Sequence, residues 1–177
     1  MSVPLSLLSR LAGKRPDPRE AVRPLWHRMV QIAREKDWYA QLGVADTVPG
    51  RFDAVTLVMA LVMLRMEGDA GLIEPSARLT ELFVEDMDAQ LRQSGIGDLV
   101  VGKHIGKLMG VLGGRIAALK EALAIEDDGP LVAMLERNVT LIDGADSARL
   151  AAAVRDLHRQ IGLSSAEALL AGKIERL

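Results

Sequence analysis

The chain has 177 residues, of which 49% are hydrophobic, 26% are charged and 3% are aromatic, and its formal net charge is −2. These values predict one globular domain with an aliphatic core and exclude a disordered chain. The nearly balanced charge argues against general nucleic-acid binding, so we expect no DNA partner. The absence of cysteine excludes disulfides, thiolate metal sites and cysteine nucleophiles.

Abundant Ala and Leu, with few Tyr, Thr and Phe, favour helices over a sheet. The predicted fold class is all-α, a single-domain helical bundle of about six to eight helices. Residues 1–18 read as a flexible basic lead-in and residues 19–177 as the helical domain. Residues 1–36 contain eight Lys or Arg and three acidic residues. This excess either binds anionic lipid or RNA phosphate or forms a solvated basic arm.

The first helix is predicted to start near Arg19, with Pro24 in its first turn. Apolar residues then recur every three or four positions, which places Trp26 in the core. Pro49-Gly50 predicts a turn before residues 52–66, FDAVTLVMALVMLRM. This run is too short to span a bilayer, which needs about 20 apolar residues, so we expect a buried central helix. Asp53 is a candidate cap for it.

The next helix ends in an acidic row containing Glu81, Glu85, Asp86 and Asp88. On a helical wheel Asp86 falls on the apolar stripe, where a carboxylate is costly unless it is paired. Two interpretations stay open for Asp86: a partner from the basic segment that follows, or a half-exposed position at the edge of the stripe.

A glycine turn with Gly95 and Gly97 follows, and Asp98 is a good N-cap for a long helix. Lys103, Lys107 and Arg115 are predicted to form a basic row on that helix. The row is either a contact surface for a partner or a solvated basic face whose positive charge balances the acidic row of the preceding helix.

Four glycines follow each other at a spacing of four residues along the same helix: Gly102, Gly106, Gly110 and Gly114. Glycine inside a helix costs roughly 0.8–1 kcal/mol relative to alanine, so the row needs a compensating close approach. We expect a groove for helix packing, with an internal helix favoured over a helix from a partner.

A helical C-terminal extension at 130–177 completes the domain. Pro130 suits a first helical position, Asp146 or Ser147 can cap a second helix, and Ser164 with Glu167 has capping-box spacing for a last one.

No pattern for catalysis, metal binding or a cofactor stands out. The segment GIGDLVVGKHIG lacks Walker spacing, and His27, His104 and His158 are widely separated. We therefore expect no enzyme activity, no cofactor and no metal.

Two segments resemble the ubiquinol–cytochrome c chaperone family, assembly factors for cytochrome b of the respiratory bc1 complex. They are AREKDWYAQLGVADTVPGRFDAVTLVMALVMLRM and FVEDMDAQLRQSGIGDLVVGKHIGKL, and with their surroundings they cover about residues 25–123. The chain departs from that family at Val58, where a histidine is usual, and at Leu112-Gly113, where an aromatic pair is usual.

The resemblance implies a non-enzymatic chaperone whose partners are newly made cytochrome b, the ribosomal tunnel exit or a small assembly factor, with peripheral contact to an anionic membrane. The predicted partner-binding residues are those of the acidic row, the turn and the basic row: Glu85, Asp86, Asp88, Gly95, Gly97, Asp98, Lys103, Lys107 and Arg115. The competing interpretation is a general helical adaptor or a membrane-surface module.

The expected location is the cytoplasm and the periphery of the inner membrane in a bacterium, or the matrix side in an organelle. A bacterial source is favoured because the family-like region starts within about 25 residues of Met1.

Overall fold

In a computed structural model of the chain, the structure describes residues 17–93 and 98–176. These residues form eight α-helices and two 3-10 helices, and their closest approach to a sheet is an isolated antiparallel bridge between Val44 and Leu141. The all-α prediction is confirmed. The α-helices are α1 (Arg23–Ala33), α2 (Lys36–Ala40), α3 (Val48–Glu67), α4 (Ile73–Gln93), α5 (Asp98–Leu123), α6 (Gly129–Asn138), α7 (Ser147–Leu163) and α8 (Ala166–Leu170).

The centre of the bundle is α3, which packs against α1, α4, α5 and α7. The residues from Leu57 to Val62 are all fully buried, so this helix has no polar face along its middle. The predicted buried central helix is confirmed, and it is longer than residues 52–66. It begins at Val48 because the Thr47 hydroxyl accepts a hydrogen bond from the Gly50 amide at 3.2 Å and Pro49 occupies the first turn.

The corner between α1 and α2 is closed by two aromatic side chains. The Trp38 indole donates to the Ile32 carbonyl at 2.8 Å, and the Tyr39 hydroxyl donates to the Ala33 carbonyl at 2.7 Å. Both carbonyls belong to the last turn of α1, where the regular hydrogen bonds of the helix end, and the Ile32 carbonyl also accepts from the Glu35 amide at 3.1 Å. Further along the core, Trp26 packs edge-to-face on Phe83 of α4, as expected for a buried tryptophan.

A buried ion pair joins α3 to α5. Arg115 is 3% exposed and donates to the Asp53 carboxylate at 3.0 Å, and it also donates to the Thr56 hydroxyl and to the Asn138 carbonyl at the end of α6. The other Asp53 oxygen accepts hydrogen bonds from the Thr140 amide at 2.9 Å and from its hydroxyl at 2.7 Å. One carboxylate and one guanidinium thus connect α3, α5 and the segment after α6.

Two predictions fail at this pair. Asp53 does not cap α3, because Thr47 does so and Asp53 lies in the second turn. Arg115 does not extend a basic surface row, because its side chain is buried against α3. On a wheel Arg115 lies close to the apolar stripe of α5, but only the packing of α5 on α3 decides that it turns inward.

The C-terminal helices follow the predicted caps with one shift. Pro130 lies in the first turn of α6, and the Asp146 carboxylate accepts from the Arg149 amide at 3.1 Å to cap α7. The cap of α8 is Ser165 rather than Ser164, since the Ser165 hydroxyl accepts from the Ala168 amide. Within the described residues, no helix is long and apolar enough to cross a membrane.

Replacing Arg115 by Met is expected to lower the free energy of unfolding by about 3–5 kcal/mol, because the Asp53 carboxylate would stay buried without its charged partner. Arg115→Lys is expected to recover only part of this loss, since one ammonium lacks the planar fork that reaches several acceptors at once. Urea denaturation followed by circular dichroism measures both differences.

Lys120→Met is the matched control. Lys120 also joins α5 to α3, through Glu67 at 3.0 Å, but this ion pair is exposed. Its loss should leave unfolding nearly unchanged, because water screens exposed pairs. Equal effects of Arg115→Met and Lys120→Met would contradict the anchoring role of Arg115.

Candidate functional site

A groove of about 1180 Å³ opens between the α1–α2 corner, the first turns of α3, the end of α4 and the middle of α5. Its walls are mainly apolar side chains from five helices: Val30, Tyr39, Val48, Pro49, Phe52, Val55, Met87 and Leu108. Small-molecule sites typically enclose about 300–1000 Å³, so the groove has room for a peptide segment. Val48, at its rim, is 83% exposed. The groove is therefore an apolar surface that the bundle leaves uncovered.

The rim of the groove is charged. Three cations line it, Arg34, Lys36 and Arg51, together with the carboxylates of Asp46 and Asp86. Arg51 donates to Asp46 at 2.6 Å, and this hydrogen bond lowers the pKa of Asp46 and raises the pKa of Arg51. The pair therefore stays ionised at neutral pH. Arg34 and Lys36 form no ion pair within the described part of the chain.

Tyr39 forms the wall at the α1–α2 corner. Burial raises the pKa of its hydroxyl, which already donates to the Ala33 carbonyl. The phenol is thus neutral and held in one orientation, so that its ring presents a fixed apolar surface to the groove.

The first turns of α3 form another part of the wall, and Gly50 sets their position. A Cβ at Gly50 would lie 1.9 Å from the Ala45 carbonyl oxygen, so only glycine permits this approach. The contact holds the start of α3 against the preceding loop and thereby places Val48 and Phe52 at the groove.

The predicted acidic row is divided between two environments. Asp86 lines the groove and accepts from Gln90 at 2.9 Å, one turn further along α4. Glu81, Glu85 and Asp88 line a separate, smaller cleft beside Met109. Glu85 also accepts from Arg19 at 2.9 Å and so attaches the N-terminal 3-10 helix (Pro18–Val22) to α4. For Asp86 the half-exposed interpretation holds, since its described partner is Gln90 rather than a basic residue.

The predicted basic row separates in the same way. Lys103 and Lys107 are exposed on α5, whereas Arg115 is buried in the ion pair with Asp53. The backbone of Asp98 begins α5, as expected for a residue at the helix start. Gly95 and Gly97 lie outside the described residues.

The glycine row of α5 faces open space. Among the residues that the structure describes, a Cβ built at Gly102, Gly106, Gly110 or Gly114 would meet no atom within 4 Å. The expected internal helix over this row is therefore wrong for the described residues, because α3, α4 and α6 pack on the other faces of α5. A helix from a partner remains a prediction. Gly113 belongs to Leu112-Gly113, where the chain departs from the family that it resembles, and it is also exposed on α5.

Sequence reasoning missed most of the groove. Tyr39, Val48 and Phe52 line the groove, and none of them is among the predicted partner-binding residues. A signal was nevertheless present, because the family-like segment YAQLGVADTVPGRFDAV contains most of the wall contributed by α2 and α3.

Metal and acid–base chemistry find no support among residues 17–93 and 98–176. No group of three His, Asp or Glu side chains in this part could hold a metal ion. His158 is partly buried, and burial lowers its pKa, which keeps the imidazole neutral. Its Nδ1 has no hydrogen-bond partner in the described structure, and the positive charge of Arg155 lowers the pKa further.

Comparison with known proteins gives two matches. Residues 40–176 match the protein family described as ubiquinol-cytochrome C chaperone. The chain is also similar to a crystal structure described as the Cbp3 homolog from Brucella abortus, with 34% identity over 89% of each chain and a TM-score of 0.78. No curated protein matches it. The family match extends through α6, α7 and α8, the helices that sequence reasoning treated as an extension.

Gly50→Ala is expected to lower the free energy of unfolding by about 1–3 kcal/mol or more, because the methyl group would overlap the Ala45 carbonyl. Gly68→Ala is the control, since a Cβ there meets nothing within 4 Å. It should be neutral or slightly stabilising. Thermal unfolding of both variants tests this, and equal melting temperatures would contradict the close approach.

Proposed function

The chain belongs to the ubiquinol-cytochrome C chaperone family, and from this premise we propose that it binds newly made cytochrome b while ubiquinol–cytochrome c reductase is assembled. Membership implies an assembly chaperone, whose task is to hold a client rather than to catalyse a reaction. The finer claims, that the client is cytochrome b and that the groove receives it, are our proposal.

The observation that carries the proposal is the groove, with its uncovered apolar floor. Phe52, Val55 and Leu108 are only partly buried there, although they belong to helices whose other faces form the core. A newly made membrane protein exposes apolar helices before it is assembled. Such a helix would lose contact with water by entering the groove, in the manner of an amphipathic helix bound in a hydrophobic groove.

The exposed face of α5 supports a second contact. Lys103 and Lys107 project from a face whose neighbouring positions are Gly102, Gly106 and Gly110. Because no bulky side chain shields this face, a phosphate backbone could approach both ammonium groups closely. We propose that this face contacts the ribosome near the tunnel exit, where a client first appears.

We place this activity on the side of the membrane where cytochrome b is synthesised. That side is the cytoplasm in a bacterium and the matrix in a mitochondrion. Contact with the membrane itself would then be peripheral.

The double substitution Val48→Asp with Phe52→Ser is expected to reduce recovery of newly made cytochrome b on the tagged protein roughly tenfold or more, because it removes apolar contact area from the groove and adds a charge. The measurement is pulse labelling in the native host followed by affinity capture. Thermal unfolding checks that the variant folds. Val48→Asp alone, at the start of α3 where an acidic residue suits the helix dipole, is the milder version.

The control variant is Ile73→Ser with Leu163→Asp. Both residues are exposed and apolar (67% and 76% exposed), and both lie outside the groove. This variant should capture cytochrome b normally.

Deletion of the gene should lower b-type haem absorbance while the cytochrome b message persists. Normal absorbance after deletion would contradict the proposal and favour a general adaptor.

Lys103→Glu with Lys107→Glu is expected to weaken co-sedimentation with ribosomes and to leave folding unchanged, because both side chains are exposed. The loss should be largest at low ionic strength, since contacts to phosphate depend on salt. Unchanged co-sedimentation would remove the ribosome from the proposal and leave the groove as the only contact surface.

A further inference from the structure

The two walls of the groove differ in charge. Arg34 ends α1 and Lys36 begins α2, and both are exposed at the groove without an ion pair in the described part of the chain. Arg51 is the third cation, but Asp46 neutralises it at 2.6 Å. The α1–α2 wall therefore carries two uncompensated positive charges beside apolar surface.

The part of the lining that α4 and α5 contribute carries the reverse charge. Asp86 lies there on α4 and accepts one hydrogen bond, from Gln90. Met87 on α4 and Leu108 on α5 supply the apolar surface next to it. A segment bound in the groove thus meets cations from the α1–α2 corner and a carboxylate from α4.

The Tyr39 side chain lines the groove beside these charged groups. Burial is the main cause of the raised pKa of its hydroxyl, and the charges of Arg51, Asp46 and Arg34 have smaller effects on that pKa. The lining of the groove thus combines charged groups with apolar side chains, so a bound segment can use both kinds of contact.

We infer that the groove selects a client helix with an apolar stripe and acidic side chains along one edge, and that Arg34 and Lys36 are the residues that select it. This inference rests on the proposed function and names the chemistry of the client segment. Asp86 adds discrimination, because it repels a helix that enters with its acidic edge on the wrong side. Opposite charges across a contact mainly set partner choice and orientation, which is the role assigned to these residues.

A helix fits these features better than a membrane surface does. The apolar residues Phe52, Val55 and Leu108 line a concave groove between five helices. A flat bilayer would reach the exposed rim but not this floor. A helix of about 10–12 Å diameter could bring one face to the floor while its edges meet the charged rim.

The test uses three synthetic helical peptides of about 18 residues with the same leucine stripe and with Glu, Gln or Lys along one edge. Fluorescence anisotropy in about 0.1 M salt measures their binding to the full chain. We expect the Glu peptide to bind best, roughly fivefold more tightly than the Gln peptide, and the Lys peptide to bind least. Arg34→Glu with Lys36→Glu should invert this order and make the Lys peptide the tightest ligand.

Arg137→Glu with Lys173→Glu is the control, since it changes the net charge equally at exposed residues outside the groove. It should preserve the original order. Equal binding of the three peptides, or an inversion caused by the control as well, would overturn the selection by Arg34 and Lys36.

Vesicles of phosphatidylcholine with one quarter phosphatidylglycerol test the alternative that Arg34 and Lys36 bind a membrane. Lipid binding that requires Arg34 and Lys36, with peptide binding indifferent to them, would assign these cations to the membrane and also overturn the inference.

The two proposals fail differently. If Val48→Asp with Phe52→Ser abolishes capture of cytochrome b while the peptides bind without regard to charge, the groove holds the client and only the acidic selection is wrong. If the peptides follow the expected order but cytochrome b is captured normally by that variant, the groove binds acidic helices and the client contacts another surface.

Discussion

The buried pair between Asp53 and Arg115 is the contact on which the arrangement of the bundle depends. It joins the central helix α3 to α5, and through Asn138 and Thr140 it also holds the segment that follows α6. Two charges removed from water are costly unless both are paired and their remaining polar atoms are satisfied. Separating α3 from α5 breaks this pair, and even in the native packing the Arg115 Nε has no hydrogen-bond partner among the described residues. The pair therefore acts against alternative arrangements of these helices, whatever its net contribution to stability.

The ion pair between Asp53 and Arg115 also determines the shape of the groove. Phe52 precedes Asp53 by one residue, and Leu108 lies two helical turns before Arg115. The pair thus fixes the relative position of the two helices from which Phe52 and Leu108 line the groove, while Gly50 sets the approach of α3 to the preceding loop. A groove built on such contacts is formed before a client arrives, so binding need not include the cost of ordering it.

The family-like segment around Gly50 combines structural and binding roles within a few residues. Gly50 permits a close approach, Arg51 pairs with Asp46 at the rim, and Asp53 binds Arg115 inside. Phe52, between them, faces the groove. The sequence of this segment resembles the family, but the resemblance did not predict that neighbouring residues have different structural roles. The assignment follows from which side of α3 each residue occupies.

The sequence alone determined the helical class, the buried course of α3, the core position of Trp26 and the caps at Pro130 and Asp146, because these follow from composition, periodicity and local hydrogen bonding. Only the tertiary structure decided that Arg115 turns inward and that the glycine row of α5 stays open. It alone brought Tyr39, Phe52, Met87 and Leu108 together around one groove. Each of these facts depends on which helix lies opposite which face, and periodicity within one helix carries no information about its neighbours.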